Sequence, residues 1–566
     1  MRLSFVDIST ANKSTRSCEL DGRKTKKKEE RKESLCKKLK NKKMAPDPLR
    51  SKIVRTFKLH GLSLRSEGST YLQSLLREAD TSEADEALSR IIDVLSNLNL
   101  PSPVVDKTTL ESAVSECNDD VQPENSDKMF NVVDIFNTPR YKYNYERKKL
   151  LPDTAPKSLF GCAADKARIT KDRYWLIMQR TQRHDLFTPP VPGAISQSSK
   201  FVLQTVEQVL GQQGEHKHTI VLAMLVQIEE GKYFLEDSSS HMLCDLSAAK
   251  FHVGMFTEYT FVLAEGSYDD VNSVFRVTGV GLPPPEPPKI TRNYFGNTNF
   301  FGGPSPTCVS SVQVLRDIER EKQDTMFVFV SDVWLDQQTV LNKLKTMFTG
   351  YSKHPPFAFV FFGNFVSGQS HKNTVNKMKA GFKALADILS SYPTLCSDSY
   401  FLFVPGPQDP GPGPVLPRPP LPASIVEPVT KRLARARMCS NPARVQYCSQ
   451  EMVLFRENLI NKMCRHCIKF PQRSEELHVH LAKTLLSQGH LAPLPLHAMP
   501  VYWSHDHALR LYPIPDLLVI ADKYDAFSVS ATDCLLFNPG SFPKSNFSFK
   551  VYLPAQKKIE NCEIAT

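Results

Sequence analysis

No stretch of this 566-residue chain approaches the roughly 20 consecutive apolar residues that a membrane-crossing helix requires. A helical membrane protein is thereby excluded. The first residues hold no apolar core of the leader type, so no secretory signal is expected. Thirteen cysteines lie scattered without framework spacing, which argues against a disulfide-stapled secreted scaffold and for reduced thiols in the cytosol or nucleus. GxSxG, a P-loop and a GxGxxG turn after a strand are all missing, which removes the common hydrolase and nucleotide-binding readings. A charge excess is also missing from most of the chain. Residues 1–43 hold 15 Lys/Arg against 6 Asp/Glu and the remainder 56 against 54, so the net +11 belongs mainly to one end. A nearly neutral body offers no global field to a phosphate backbone; a nucleic-acid role there needs a local patch.

The length is too great for one core and implies about three domains. Residues 1–43, with RKTKKKEERK (Arg23–Lys32) and KKLKNKK (Lys37–Lys43), bury too little to offset ordering entropy. They read as a disordered basic tail of the kind that serves nuclear import or tethers nucleic acid, and Met44-Ala45-Pro46 offers a second start. Residues 44–118 read as a small α-helical domain. Leu88, Ile91, Ile92, Leu95 and Leu98 recur at helical spacing behind a capping stretch from Thr81 to Asp85. Tyr71, Leu72, Leu75 and Leu76 mark an earlier helix, and Leu110, Ala113 and Val114 a later one.

Residues 119–190 read as a linker with helices, the best of them over Asp165–Gln182 and ending before Pro189-Pro190. In residues 191–288, five strand-like runs between Thr219 and Leu282 resemble an OB-fold β-barrel. Tyr233 and Phe234 are its candidates for stacking on single-stranded nucleic acid, although alternation assigns one of the pair to the core. The proline-rich stretch Pro283–Pro288 leads into a last domain, 289–566, in which apolar strands alternate with amphipathic helices. Val375, Met378, Phe382, Leu385 and Leu389 give one such helix its buried face.

Three segments of that domain repeat one design: MFVFVSDVWLD (Met326–Asp336), FAFVFFGNF (Phe357–Phe365) and FLFVPGPQDPG (Phe401–Gly411). Each reads as a buried parallel strand ending in polar groups, where open α/β sheets place their chemistry. Their order and spacing resemble the calcineurin-like metallophosphoesterases, whose loops run Asp-x-His, Gly-Asp and Gly-Asn-His-Asp/Glu. Such enzymes need two metals ~3.5–4 Å apart, held by carboxylates and imidazoles. Here Asp332 and Asp409 remain, and His490 in QGH could match a later motif. Trp334 replaces a histidine, Asn364 the bridging carboxylate and Pro407-Gln408 the Asn-His pair. The family's final Gly-His-x-His is matched at best by Ala521-Asp522-Lys523, where a lysine repels a cation. No catalytic residue, metal or cofactor is therefore expected, and the domain reads as an inactive phosphoesterase. Cys464-Arg465-His466-Cys467, with Cys439 and Cys448 upstream, lacks the regular second half of a zinc site and reads as ordinary thiols. His478 and His480, taken as alternate residues on a strand, and His505 and His507 read as packing or surface groups.

A ligand-stripped phosphoesterase domain after an OB barrel is similar to the B-subunits of eukaryotic replicative DNA polymerases. QRTQRHDLFTPP (Gln179–Pro190), NFFGGPS (Asn299–Ser305), FVPGPQDPGPG, SQGHLAPLPL (Ser487–Leu496) and LFNPGSFPKSNFSFKVYLP (Leu536–Pro554) resemble the epsilon branch of that family. The resemblance implies a non-catalytic accessory scaffold of a nuclear DNA polymerase epsilon complex in chromosomal replication. Its implied partners are the cysteine-rich C-terminal region of the catalytic subunit, the small histone-fold subunits, and GINS with the replicative helicase through the N-terminal domain. DNA contact is expected to be weak or indirect, with no membrane contact. Two other functions compete: a metal-dependent phosphodiesterase or nuclease using Asp332, Asp409 and His490, and a single-strand DNA-binding OB-fold protein.

Overall fold

The computed structural model describes residues 48–77, 102–118, 129–188, 201–212, 218–305, 307–368, 373–471 and 474–564, with scattered positions between 84 and 95. The basic tail 1–43, the polar stretch 119–128 and Leu98 lie outside the described residues. The chain divides into two units, one of residues 1–92 with 102–117 and the other of 93–101 with 118–566. No described helix is long and apolar enough to cross a membrane.

The first unit is helical, with Pro48–Leu59, Ser66–Leu75 and Lys107–Asn118 as its named helices. Leu88, Ile91 and Ile92 are buried, as are Ile53, Phe57, Leu72, Leu110, Ala113 and Val114; Leu95, in the stretch assigned to the other unit, is buried as well. The helical spacing of apolar residues therefore marks the core. A short parallel pair, Ser63–Leu64 with Val104–Val105, joins segments about 40 residues apart that no local pattern connects.

In the second unit, Thr219–Glu229, Lys232–Glu236, His241–Asp245, Phe261–Asp269 and Val274–Gly281 form the expected barrel. Val274–Gly281 closes it, pairing antiparallel with Phe261–Asp269 and parallel with His241–Asp245. Gly231, at φ +76°, makes the tight turn between the first two strands. Alternating burial along Phe261–Asp269 fills the interior with Val262, Ala264 and Tyr268 among others.

Two six-stranded sheets build the α/β domain. Ala436–Met438, Tyr400–Val404, Ala358–Phe362, Phe327–Ser331, Ser548–Leu553 and Lys558–Glu563 follow one another across the first. Its first four strands run parallel, so the loops after the three repeated segments emerge at one edge. The second sheet orders Phe527–Ala531, Cys534–Asn538, Leu517–Ala521, Gln450–Arg456, Ala443–Tyr447 and Phe130–Val133. Its last strand comes from the segment read as a linker and pairs with residues more than 300 positions away. Phe327, Phe329, Val360, Phe362, Leu402, Leu454, Val519 and Phe537 fill the space between the sheets. Helices Gln338–Tyr351, Thr374–Leu389 and Ala423–Thr430 cover the outer face of the first sheet, burying Leu344, Phe348, Met378, Phe382 and Leu385. Val375, expected on that buried face, is 46% exposed, because Thr374 and Met378 occupy the inward positions of the first turn.

Candidate functional site

Strand Phe327–Ser331 delivers Asp332 in left-handed backbone geometry, φ +57°, which aspartate tolerates better than most residues. Its carboxylate is fully buried. Arg456, at the end of strand Gln450–Arg456, donates from Nη2 to Asp332 Oδ1 at 2.7 Å. The Asn364 amide approaches the same oxygen at 3.3 Å, and the Ser541 hydroxyl donates to Oδ2 at 2.8 Å. Burial alone would raise the Asp332 pKa, yet the Arg456 charge and these hydrogen bonds hold it below the usual carboxylate range.

The rest of the Arg456 guanidinium is used as completely. Nε donates to the Gly363 carbonyl, and Nη1 to the Ala521 carbonyl and Asn458 Oδ1, both at 3.0 Å. Burial disfavours this charge, but Asp332 beside it outweighs that penalty and raises the Arg456 pKa. Nothing in the three repeated segments announces this arginine. Its only trace in sequence is a charge closing the apolar run MVLF (Met452–Phe455), where the preceding residues are buried on both faces.

The second and third loops interlock beside this pair. Gln408 donates its amide to Asn364 Oδ1 at 2.9 Å, and Asn364 Nδ2 reaches Gln408 Oε1 at 3.4 Å. Asp409 accepts the Phe365 and Gly406 amides at 2.8 and 2.7 Å, while burial pushes its carboxyl up to about 6. Two glycines permit this approach. A Cβ at Gly363 would lie 2.0 Å from Asp409 Oδ2, and one at Gly406 would lie 2.4 Å from Asn364 Oδ1. Asp522 accepts the Ile460 and Tyr524 amides at 3.0 Å each, with a pKa raised by burial. Trp334 packs against the outer helical core.

The structure thus brings Asp332, Asn364, Gln408 and Asp409 together, but their donor set does not fit a paired-ion centre. Both oxygens of Asp332 and of Asp409 are engaged by groups of the chain itself. Among the described residues, no group of three or more His, Cys, Asp or Glu side chains is placed to hold a metal ion.

His490 bonds elsewhere. Its Nδ1 accepts the Ala492 amide at 3.0 Å, and its Nε2 faces Asp506 Oδ1 at 3.3 Å. Asp506 also pairs with Arg173 of helix Ala163–Arg183. His505 lies edge-on to Phe136, and His507 meets the Thr138 carbonyl at 3.3 Å. Burial pushes His507 down to about 2, so both rings are packing groups. Cys439 and Cys448 lie between the sheets, whereas Cys464 and Cys467 pack on the far side of the second sheet. Burial raises all four thiols, to about 12 for Cys439 and Cys467.

His478 and His480 stand on helix Leu477–Gln488, and the strand expectation fails here. Alternation over four residues cannot be told from a short piece of helical repeat. His478 stacks on Phe527, with ring centroids 4.9 Å apart. His480, Thr484 and Gln488, at successive i, i+4 positions, face the barrel. His480 Nδ1 accepts the Gly254 amide at 2.9 Å, and Thr484 Oγ1 accepts that of Met255 at 2.8 Å. Gln488 both accepts from the Phe261 amide and donates to its carbonyl, at 2.9 Å each, as a neighbouring strand would. Ser487 donates to the Pro283 carbonyl at 2.6 Å. Barrel residues Phe256 and Thr257 complete the seam by pairing with Lys469 and Cys467. Phrases that look like ligand motifs therefore fasten the barrel to the α/β domain. Tyr233 packs partly against the barrel core, and Phe234 is half-buried beside His241.

Comparison with known proteins agrees with this layout. Residues 327–529 match the DNA polymerase alpha/epsilon B-subunit family. Residues 163–284 match the DNA polymerase epsilon subunit 2-like OB-fold domain, and residues 45–117 match DNA polymerases epsilon N terminal. Over 528 residues the chain is 50% identical to DNA polymerase epsilon subunit 2 of Bos taurus, covering 92% of this chain and 99% of that one. The Drosophila melanogaster protein of the same name is 39% identical over 521 residues, covering 91% and 98%. The solved structure of a novel archaeal phosphodiesterase aligns with 42% of this chain and 100% of its own, at 9% identity and a TM-score of 0.25.

Proposed function

This chain belongs to the DNA polymerase epsilon subunit 2 family, an accessory subunit of that polymerase, and we propose that it serves there as a scaffold with no catalysis of its own. Arg456 carries this reading. A phosphoesterase centre needs carboxylates open to two cations, which make hydroxide and clamp the phosphate. Here the buried Arg456 guanidinium is the cation at Asp332. A metal ion approaching the same carboxylate meets a fixed positive charge inside a low-dielectric interior, where repulsion is strong. The loop tips are thereby held in one shape without chemistry.

A rigid body of this kind acts through its surfaces. The partner that follows is the cysteine-rich C-terminal region of the polymerase catalytic subunit, held by the fastened barrel and α/β domain. The helical N-terminal unit connects to GINS and the replicative helicase, and the small histone-fold subunits join the same nuclear complex. Co-expression of the full chain with that C-terminal region tests the proposal. A stable one-to-one complex is expected, with no manganese-dependent hydrolysis of a phosphodiester substrate. Elemental analysis giving two metals per chain, with hydrolysis abolished by Asp332→Ala, overturns it.

A further inference from the structure

We propose that the helical layer over the first sheet is a docking face for the phosphate backbone of duplex DNA. Charge singles this layer out. Residues 338–438 carry 12 Lys/Arg against 4 Asp/Glu, an excess of 8, although the whole chain beyond residue 43 has an excess of only 2. The remainder of the body is therefore acidic by 6. Within 338–438, Arg418 is buried against Glu457, and the exposed cations among the described residues are those of the helical layer and its edge strand.

Helix Thr374–Leu389 packs between Gln338–Tyr351 and Ala423–Thr430 on the outer face of the domain. Lys345, Lys353, Lys377, Lys379 and Lys383 are exposed there, and none of the five forms an ion pair among the described residues. Two of the few acids in this layer are neutralised locally. Glu427 pairs with Lys431 at 2.7 Å, and Asp387 pairs with Arg432. Arg437 extends the positive surface along the edge strand Ala436–Met438.

The chemistry of the face selects the occupant. Val375 is the only large apolar side chain exposed among the described residues of 338–438, so a protein partner finds no aromatic or aliphatic anchor. No Phe, Tyr or Trp is exposed there to stack on unpaired bases. What remains is a set of flexible ammonium groups, which hold phosphates as point charges and read no sequence. This face is separate from the loop tips and the seam, and its role does not depend on the scaffold reading.

The test measures anisotropy of a labelled random-sequence duplex with the full-length chain, at about 50 to 200 mM salt. Lys377→Glu/Lys379→Glu/Lys383→Glu is expected to lower affinity at least tenfold. The slope of log K against log salt should flatten by about 0.9 for each phosphate that the variant no longer neutralises, so by up to about 3. Lys345→Glu/Lys353→Glu should give a smaller loss in the same direction, which guards against misfolding of the triple variant. Replacing Lys24, Lys26, Lys27 and Lys28 with Gln separates the tail from the face. Unchanged affinity and slope in the triple variant overturn the proposal, as does a loss confined to the tail variant. Equal binding of polyglutamate and duplex by the wild-type chain also overturns it, in favour of an acidic protein partner. Co-purification with the catalytic subunit is expected to be the same for every variant, so failure here and failure of the scaffold reading give different results.

Discussion

The loop tips and the barrel seam are both buried polar clusters, yet they are built on opposite plans. At the seam, side chains answer backbone groups: His480 that of Gly254, Thr484 that of Met255, and Gln488 both those of Phe261. At the tips, one cation gathers a carboxylate, two carbonyls and an amide around itself. Loss of a seam residue leaves an unmet hydrogen bond, whereas loss of a partner at the tips leaves an unmet charge. The second is the costlier error, because a stranded ion in the interior carries a solvation penalty that no relaxation fully relieves.

Arg456→Met should therefore have the largest effect, destabilising the α/β domain by about 3–5 kcal/mol in denaturant unfolding. Adding Asp332→Asn removes the stranded charge and should recover part of that loss; a purely additive double variant would break the contrast. Gln488→Leu comes next. It leaves the Phe261 amide and carbonyl without partners, costs about 2 kcal/mol, and should split one unfolding transition into barrel and α/β steps.

The two aspartates at the tips sharpen the comparison through pH. The folded Asp332 pKa lies below its ordinary value, so its contribution is full above the usual carboxylate range and is lost as pH falls through the folded value. Asp409 behaves in the opposite sense. Raised to about 6, it stabilises the fold most when protonated, and that contribution is lost as pH climbs from the ordinary carboxylate value through 6. Asp409→Asn should thus gain on the wild type between about pH 4 and 6.5, and Asp332→Asn should lose less at low pH than at neutral pH. Melting temperatures across that range check both signs. Metal content is expected not to change at all in Trp334→His/Asn364→Asp, which restores two family letters while Arg456 stays in place; elemental analysis should find no stoichiometric metal.

Much of this was legible in sequence because it is local. Periods of two and of about 3.6 mark the barrel strands and the helix stripes, and three apolar runs with polar ends identify the parallel strands and their loops. The missing parts depend on distant partners. Phe130–Val133 is four residues long, and only its pairing with Ala443–Tyr447 makes it a strand. Val375 sits at the start of its helix, where Thr374 and Met378 take the inward positions. HVHL suits a strand as well as a helix until His480 finds Gly254 across the seam. Arg456 was hidden for a further reason. The three repeated segments show only which family letters differ, and the residue that pairs with Asp332 lies on another strand of another sheet.

Because that positive charge is covalently part of the polypeptide, no loading step is required on the scaffold reading to set the loop tips. On that reading, metal scarcity, chelators and competing ions leave the loop tips unchanged, because both oxygens of Asp332 are held by groups of the chain itself.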